Sequence, residues 1–343
     1  MKNKRQSIKD IASGVKVSIT TVSFVLNGKA KEKGISDEVI KKVLEYIKKT
    51  NYKPNRSAQS LRTGRSKTIV FMVENISNYF YAKLNRIIED IAFEKGYMVI
   101  FCSNDNEDKK SVELINFFRD NQIDGYIIIP SNGTRKTIKK LIDEYVPVVL
   151  FDRYFTDLET NYVIIDNKEA AFNATEHLIE NCFKNIAFLT TDVEQTQMIA
   201  RLSGYRNAIE NHKLKENLLI IPSNLKSSER KNIIKDFLEA NPHVDSILFT
   251  LNYLTQDGLS VIKENFPALI NKLGLISFED DTLYEFNTPS ISAVSMPLDK
   301  LGHELMDIML KLLQEGSKEQ TIKKLTLNTT LQIRNSSLNK ISI

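Results

Sequence analysis

Residues 7–28, SIKDIASGVKVSITTVSFVLNG, decide how the start of the chain folds. Ser7 precedes Asp10 by three residues and stands ahead of an apolar series, which predicts a capped helix running to about Gly14. A second helix is predicted to begin at Ser18, after a connection of only about three residues. The inward face of this second helix would consist of Val22, Val25 and Leu26. Two short helices joined in this way are typical of a helix-turn-helix, in which the second helix enters the major groove of DNA.

A third helix follows, preceded by a lysine-rich loop. The helix is predicted to begin at Ser36. Its apolar stripe, which would close a three-helix core, consists of Val39, Val43, Leu44 and Ile47. The loop, residues 28–34, carries Lys29, Lys31 and Lys33, which suit contacts with phosphates. The alternative for these lysines is a solvated charged loop.

Charge is distributed unevenly along the chain. Residues 1–68 contain 17 Lys and Arg against 5 Asp and Glu, whereas the remainder contains 30 against 38. A compact basic end suits the phosphate backbone of nucleic acid, because each neutralised phosphate releases condensed counterion. A basic patch for a membrane surface would show the same surplus, so the charge alone leaves both partners open.

Length and composition predict a soluble protein of two or three units. The chain has 343 residues, of which 42% are hydrophobic and 26% charged, as is typical of globular proteins. Residues 1–7 lack the apolar core of a signal peptide, and no uninterrupted run of about 18 apolar residues occurs. Cys102 and Cys182 have no CxxC spacing and no histidine partner nearby, which predicts buried reduced thiols. A cytoplasmic location without a membrane partner is therefore expected.

Three stretches together resemble the headpiece and hinge of the lactose- and galactose-repressor family of bacterial transcriptional regulators. They are residues 7–28, quoted above, residues 35–55 (ISDEVIKKVLEYIKKTNYKPN) and residues 56–69 (RSAQSLRTGRSKTI). The resemblance implies that Ile19 and Thr20 occupy the variable base-reading positions. It also implies contacts with bases or phosphates for Ser7, Lys9, Ser18, Thr21, Ser23 and Asn27.

Two residues depart from the pattern of the family. Relatives usually have Gly where this chain has Lys16, and Arg where it has Phe24. Lysine is tolerable at a left-handed turn position, although it is more strained there than glycine. Phe24 cannot make the bidentate guanine contact of arginine, but it can pack on a thymine methyl. The operator is therefore predicted to differ from those of relatives that read guanine at this point.

The segment after the headpiece is predicted to be a hinge. Residues 55–62 are too few to form a stable helix alone in water, and the resemblance implies that they fold only on DNA. It further implies that Leu61 wedges between base pairs in the minor groove while Ala58 packs against the partner hinge. The alternative for Leu61 is an ordinary core residue of the hinge helix. Asn55 and Gln59 complete the predicted DNA-contacting residues of the hinge.

From residue 68 onward the chain alternates between apolar runs and amphipathic helical windows. The runs predict nine buried strands, at residues 68–73, 97–102, 125–130, 148–152, 163–166, 185–190, 218–221, 246–250 and 273–278. This alternation predicts parallel sheets covered by helices on both faces, and the number of strands suggests two sheets. The family shares such a two-lobed body with periplasmic sugar-binding proteins.

The predicted fold class is thus α/β, with an N-terminal all-α helix-turn-helix headpiece and a two-lobed periplasmic-binding-protein-like body of parallel sheets. The predicted divisions are a DNA-binding headpiece at 1–53, a hinge helix and linker at 54–67, and an effector-binding and dimerisation body at 68–343. Within the body, lobe one would take about 68–164 and 296–330, and lobe two about 165–295.

Polar residues just after the predicted strands are candidates for a ligand site, because ligands of open α/β sheets gather at the carboxyl ends of strands. The candidates, with Arg201 on a predicted helix, are Asp152, Asp166, Asn167, Asn252, Glu279 and Asp280. Carboxylates and amides combined with an arginine suit sugar hydroxyls, and Phe80 and Tyr81 would cover the C–H side of the ring. The alternatives are helix caps for Asp152 and Asp166, and core positions for Phe80 and Tyr81.

The segments around these candidates resemble the sugar-contacting segments of the family. They read NISNYFYA, LFDR, VIIDN, RLSGYRNA and LGLISFEDD. Tyr253 stands where relatives usually have Asp, and Glu279 is one methylene longer than the Asp usually found. Both departures imply a different preference for the bound ring.

Other classes of protein have little support in the sequence. The four histidines are dispersed without metal-ligand spacing, and no GxSxG, P-loop or GxGxxG motif occurs, so neither an enzyme nor a bound metal or cofactor is predicted. A transport-type sugar-binding protein would have no use for a basic headpiece. The prediction is a homodimeric repressor of carbohydrate-utilisation genes that binds a pseudo-palindromic double-stranded operator and a sugar or sugar-phosphate effector. A phosphorylated carrier protein as corepressor stays open as an alternative.

Overall fold

The computed structural model describes residues 6–52, 64–315 and 321–338. The chain divides into two compact units, residues 1–67 and 68–343, and each is described by itself. Within the described part of the chain, no helix is long and apolar enough to cross a membrane.

The described part of the first unit contains three helices, and each begins at a serine. They are α1 (Ile8–Val15), α2 (Ile19–Leu26) and α3 (Asp37–Thr50). The side chains of Ser7, Ser18 and Ser36 each accept a hydrogen bond from the backbone N–H three residues further on. These bonds satisfy N–H groups that have no partner within the helix. The three predicted helix starts are confirmed.

The turn between α1 and α2 depends on Lys16. Its φ of 60° lies in the left-handed region, and its backbone N–H donates to the carbonyl groups of Ala12 and Ser13. The left-handed residue ends α1 and redirects the chain into the short connection before α2. Glycine would adopt this conformation with less strain.

The core of the first unit joins the inner faces of the three helices. Its buried residues are Ile11, Ala12, Val15, Val22, Val25, Ala30 and Val43. Leu44, which the sequence placed in the apolar stripe of α3, is instead 49% exposed, so that part of the prediction is wrong. Successive helical residues point about 100° apart, so Leu44 turns outward when Val43 faces the core. Ile40 and Tyr46 take the inward positions instead.

The second unit contains two six-stranded sheets among its described residues. The strands of the first sheet are β1 (Thr68–Val73), β2 (Met98–Ser103), β3 (Gly125–Ile128), β4 (Val148–Phe151), β5 (Asn161–Ile165) and β11 (Lys324–Leu327). Their order is β11-β5-β4-β3-β1-β2, and every pair is parallel. This sheet and the helices on it form the first lobe.

The second sheet forms the second lobe. Its strands are β6 (Ile186–Thr191), β7 (Asn217–Ile221), β8 (Ser246–Phe249), β9 (Gly274–Phe278), β10 (Ser292–Ser295) and β12 (Thr330–Gln332). Their order is β12-β10-β9-β8-β6-β7, and only the β10–β12 pair is antiparallel. The α/β class and the two parallel-dominated sheets are confirmed.

Helices connect the strands and cover both faces of the sheets. They are α4 (Tyr79–Glu94), α5 (Asp108–Asp120), α6 (Arg135–Asp143), α7 (Asn167–Glu180), α8 (Thr196–Asn211), α9 (Ser227–Ala240), α10 (Asn252–Asn265), α11 (Thr282–Phe286) and α12 (Leu298–Glu315). Short 3-10 helices lie at Asn132–Thr134, Pro267–Leu269 and Asn335–Ser337. Because helices lie on both faces, the strands between them are mostly buried, as parallel sheets require.

The chain crosses between the lobes three times, after β5, after β10 and between β11 and β12. The second crossing leads into α12, whose Leu301, Leu305 and Met309 join the core of the first lobe. The sequence does not predict the third crossing, because Lys324–Leu327 and Thr330–Gln332 are short and lack an apolar run.

Both cysteines are free. Cys102 is half-buried, and burial raises the pKa of its thiol to about 11. Cys182 is exposed in the turn after α7, where its φ is 67°, so the expected burial of this residue is wrong. Cys182 follows the end of the helix, where the left-handed turn directs its side chain outward.

Candidate functional site

The second helix of the first unit presents its first turn to solvent. Ile19 is 44% exposed, and Thr20 is exposed beside it. Thr21 is half-buried, and its hydroxyl lies 2.8 Å from the Ser18 hydroxyl that caps the helix. At the other end, the Asn27 side chain donates to the Ser23 carbonyl at 2.7 Å. These local bonds fix the two ends of α2 and leave the side chains of Ile19 and Thr20 open to solvent.

Phe24 lies half-buried on the same helix. The ammonium group of Lys33 stands 5.8 Å from the centre of its ring, which is cation–π distance. Lys9 and Lys29 are exposed, and Ser7 is engaged in its capping box with Asp10. The remaining predicted DNA contacts, Asn55, Ala58, Gln59 and Leu61, lie outside the described residues.

A polar cleft lies between the two lobes of the second unit. It consists of two adjoining cavities of about 350 and 680 Å³. Both cavities are lined by Glu74, Tyr81, Tyr253 and Glu279. Glu74 follows β1 and Glu279 follows β9, so the cleft lies at the carboxyl ends of strands from both sheets. We call these two cavities together the interlobe cleft.

Arg201 on α8 lies at the floor of the interlobe cleft and is only 2% exposed. Its Nε donates to Asn167 Oδ1 at 2.8 Å, and its Nη1 donates to the Thr250 carbonyl at 2.6 Å. Its guanidinium group lies 4.2 Å from the centre of the Phe278 ring. Burial lowers the pKa of Arg201, although the nearby Asp152 and Glu279 carboxylates oppose that shift. The predicted arginine is therefore in the cleft and is held rigidly.

Glu279 stands where the two cavities of the interlobe cleft meet. It is 7% exposed, and its Oε2 accepts a hydrogen bond from Asn78 Nδ2 of the opposite lobe at 3.1 Å. Burial raises the pKa of its carboxyl group to about 7, while the Asn78 hydrogen bond and Arg201 lower it. Its φ of 70° is a left-handed conformation, which is strained for a residue with a side chain. Such strain at the end of a strand is typical of binding sites.

Asp152 occupies a matching position in the first lobe. Its φ is 66°, and its Oδ2 accepts a hydrogen bond from Gln197 Nε2 of the second lobe at 3.2 Å. Burial raises the pKa of Asp152, and Arg153 and Arg201 lower it. The left-handed backbone at both Asp152 and Glu279 turns each carboxylate from a strand end into the interlobe cleft.

Several residues of the site escaped the sequence analysis. Arg153 is almost fully buried, and its guanidinium group contacts Glu74 Oε2 at 2.7 Å and Asn106 Oδ1 at 2.9 Å. Gln195 Nε2 donates to the same Asn106 oxygen at 3.1 Å from the second lobe. Arg153 follows Asp152 directly in the segment LFDR, and this position could have indicated its place in the site. The glutamines at the start of α8 carried none.

Tyr253 and Asn252 begin α10 on the wall of the larger cavity. Asn252 Oδ1 accepts a hydrogen bond from Gln256 Nε2 at 2.6 Å. The ring of Tyr253 lies 4.7 Å from the guanidinium group of Arg230, which is itself bonded to Asp257 Oδ2 at 2.7 Å. The chain therefore places an aromatic ring where relatives usually have a carboxylate, and this ring covers an arginine.

Two predicted ligand residues lie elsewhere. Phe80 is buried in the first-lobe core, where its ring stacks on Phe151 at 6.2 Å, and it does not line the interlobe cleft. Its neighbour Tyr81 does line the cleft, because it lies about 100° further round α4. The carboxylate of Asp166 accepts the backbone N–H of Thr329 at 2.9 Å, where the chain crosses between lobes. Asp166 does not line the interlobe cleft but borders a further cavity beside α7, which shares Asp152 and Gln197 with the cleft.

Both units match known protein families. Residues 7–55 match the family described as bacterial regulatory proteins, lacI family. Residues 66–332 match the family described as periplasmic binding proteins and sugar binding domain of LacI family. These two matches together cover most of the chain.

Individual proteins resemble the chain over nearly its full length. Catabolite control protein A of Staphylococcus xylosus is 32% identical over 312 residues, which cover 90% of this chain and 93% of that protein. The sucrose operon repressor of Lactococcus lactis subsp. lactis is 30% identical over 306 residues, covering 89% and 92% of the two chains. Among solved structures, the lac repressor dimer bound to operator and the anti-inducer ONPF covers 98% of this chain, and all of that chain is matched, with a TM-score of 0.83 at 18% identity. The structural match establishes the fold.

Proposed function

The chain belongs to the LacI family of bacterial transcriptional regulators, and from this premise we propose that it represses carbohydrate-utilisation genes by binding operator DNA as a homodimer. The observation that carries the proposal is the first turn of α2. Ile19 and Thr20 are exposed there between two locally fixed helix ends, in a segment with a large surplus of lysine and arginine. The curated relatives include a sucrose operon repressor and a ribose operon repressor, which supports a carbohydrate role for this chain.

The proposed contacts divide the first unit into two kinds of residue. Ile19 and Thr20 read base edges, and Phe24 packs on a thymine methyl. The proposed phosphate contacts are Ser7, Lys9, Ser18 and Lys29, with support from Thr21, Ser23 and Asn27. A dimer supplies two such headpieces, which suits an operator with two inverted half-sites. A cytoplasmic location belongs to the proposal because operator DNA lies there.

The interlobe cleft is the proposed effector site. Asp152, Arg201 and Glu279 line it and come from both lobes, so a ligand that bonds to all three binds best to one arrangement of the lobes. Asn252 and Tyr81 complete the proposed ligand residues. Binding of this kind couples to DNA affinity if the two lobe arrangements differ in how well they support operator binding.

The proposal is tested by selecting duplexes from a random library with the full chain. We expect a consensus of two inverted half-sites, whose affinity falls by roughly 10³-fold or more between about 50 and 200 mM salt. Enrichment of no consensus sequence would contradict sequence-specific repression. For the effector, a sugar that raises the melting temperature of the full chain should also change its affinity for the selected operator, in either direction. A sugar that stabilises the chain without changing operator affinity would contradict the coupling.

A further inference from the structure

We propose that the interlobe cleft takes an uncharged or cationic polyhydroxylated effector and excludes phosphorylated sugars by charge. The inference rests on the proposed function, since it assumes that the cleft is the effector site. Among the described residues that line it, six are carboxylic acids: Glu74, Asp105, Glu107, Asp152, Glu279 and Asp281. Two are basic, Arg201 and Arg230, and no lysine is among them. A third arginine, Arg153, lies buried behind the lining, where it bonds to Glu74 at 2.7 Å and stands 3.7 Å from Asp152, so the six carboxylic acids still outnumber the three arginines.

Each arginine that lines the interlobe cleft already uses its Nε and one Nη for bonds within the protein. Arg201 donates to Asn167 and to the Thr250 carbonyl, and Arg230 donates to Asp257 and to the Leu225 carbonyl at 2.6 Å. Phosphate recognition by arginine depends on a free pair of parallel N–H donors or on an unopposed positive charge. A phosphate dianion would instead face a surplus of negatively charged side chains, and the buried surroundings would screen the repulsion poorly. The same side chains attract an ammonium group.

The hydrogen-bonding capacity of the interlobe cleft points to the same class of ligand. Gln197 is 6% exposed and lines the cleft, and its Oε1 is buried without any hydrogen-bond partner. Its Nε2 is used, because it donates to Asp152 and to Gln195 Oε1 at 3.1 Å. A buried acceptor of this kind needs a donor. Sugar hydroxyls and ammonium groups can donate to it, whereas a phosphate dianion placed against it offers acceptors only, so a phosphorylated sugar can satisfy it only through its remaining hydroxyls.

The N-terminus of α4, at the interlobe cleft, does not reverse this balance. The N-terminus of α4 is capped by Asn78, whose Oδ1 accepts the Phe80 N–H at 2.8 Å and whose Nδ2 already bonds to Glu279. A helix N-terminus contributes about half a unit of positive charge, and here a carboxylate of the protein lies beside it. An incoming anion would compete with Glu279 for that position.

The test uses the full chain and matched sets of sugars. Each set contains a neutral sugar, its 2-amino derivative where one exists, and its 6-phosphate, for example glucose, glucosamine and glucose 6-phosphate. Binding is measured by calorimetry and thermal shift at low ionic strength. We expect every sugar that binds to bind at least about tenfold more tightly than its phosphate, which corresponds to about 1.4 kcal/mol. A sugar phosphate that binds as tightly as its parent sugar, or more tightly, overturns the exclusion of phosphorylated sugars by charge. The proposed function would remain intact.

If the chain still selects an operator but binds no member of the sets, both the exclusion of phosphorylated sugars by charge and the sugar effector are overturned. A variant separates charge from shape. Asp105→Asn with Glu107→Gln removes two rim charges from exposed side chains, and we expect discrimination against the phosphate to fall by several fold at low salt. Glu89→Gln neutralises an exposed carboxylate that does not line the cleft, and it should change nothing. Discrimination that stays constant in the double variant overturns exclusion by charge.

Discussion

Glu279 should make stability depend on pH. Its carboxyl group is buried beside Asn78, Arg201, Asp152 and Glu74, and burial raises the pKa from 4.5 to about 7. Between these two values the unfolded chain has lost the proton and the folded chain has kept it, so the free energy of unfolding falls as pH rises through this window. Above about pH 7 the penalty is constant.

Substitution Glu279→Gln should remove that fall. Glutamine can still accept the Asn78 hydrogen bond but carries no charge to bury. At about pH 8 the variant should be more stable than the native chain by on the order of 3 kcal/mol, and at about pH 4 the two should be almost equal. Urea unfolding at both pH values measures the difference, with Glu89→Gln as an exposed control. An equal difference at both pH values would show that the effect is one of packing.

Phe24 should determine one base of each half-site. Arginine offers paired donors to guanine, whereas phenylalanine offers only an apolar edge suited to a thymine methyl. Phe24→Arg is therefore expected to shift the selected operator toward guanine at one position in each half-site, by roughly 1–3 kcal/mol. Phe24→Leu is the matched control, because it stays apolar and should retain thymine. The measurement is selection from a random duplex library, and identical consensus sequences for all three proteins would refute the assignment.

At the scale of elements, the packing of α7 against α8 depends on Gly204. A Cβ atom added there would lie 2.0 Å from the Lys168 carbonyl oxygen and 2.9 Å from the Phe172 backbone nitrogen. Both are backbone atoms, so the helices themselves must move apart. Asn167, which holds Arg201 through a 2.8 Å hydrogen bond, begins the displaced helix α7.

We therefore expect Gly204→Ala to have two effects. It should destabilise the second unit by roughly 1–3 kcal/mol, as overpacking usually does, and it should weaken effector binding by moving Asn167 away from Arg201. The neighbouring substitution Ser203→Ala, at a half-buried position, is the control. Thermal unfolding and calorimetry measure both effects. Wild-type stability in Gly204→Ala would mean that the helices are not in close contact.

The elements that the sequence predicts best are those specified by local chemistry. The serine caps at Ser7, Ser18 and Ser36 act within three residues, and a buried parallel strand needs a continuous apolar run. Strand β11 lies at the edge of its sheet and mixes polar with apolar residues, so its pattern resembles a loop. Its partner in the third crossing, β12, has the same character.

Side-chain direction was harder to predict than the elements themselves. Phe80 and Tyr81 are adjacent in α4, and only the phase of the helix decides that the first enters the core and the second reaches the interlobe cleft. Asp152 and Arg153 follow β4. The alternation of side chains between the two faces of the sheet stops at Asp152, whose backbone is left-handed. Their directions depend on that one φ angle, which no pattern of residue types specifies. The interlobe cleft lies at strand ends, as the sequence indicated, but only some of the residues that line it were predicted.

At the scale of the molecule, hydrogen bonds across the interlobe cleft connect ligand binding to lobe arrangement. Asn78 bonds to Glu279, the Tyr79 and Thr282 hydroxyls lie 2.8 Å apart, and Gln197 bonds to Asp152. An effector that bonds to Asp152 and Glu279 competes with these contacts or completes them. Either outcome changes the relative free energies of the lobe arrangements, and that change is all that coupling to DNA requires.

The two compact units should carry out separate functions. Removal of residues 1–65 takes away the helix-turn-helix and most of the basic surplus, while the second unit keeps both sheets, their cores and the interlobe cleft. We expect the truncated chain to lose operator binding entirely, because what is left is acidic and has no recognition helix. A sugar that stabilises the full chain should raise the melting temperature of the truncated chain by a similar amount, because all the proposed ligand residues remain. Calorimetric unfolding of both proteins, with and without that sugar, measures this directly. If the truncated chain folds but no longer responds, the effector site requires the first unit, and the division between DNA binding and ligand sensing is wrong.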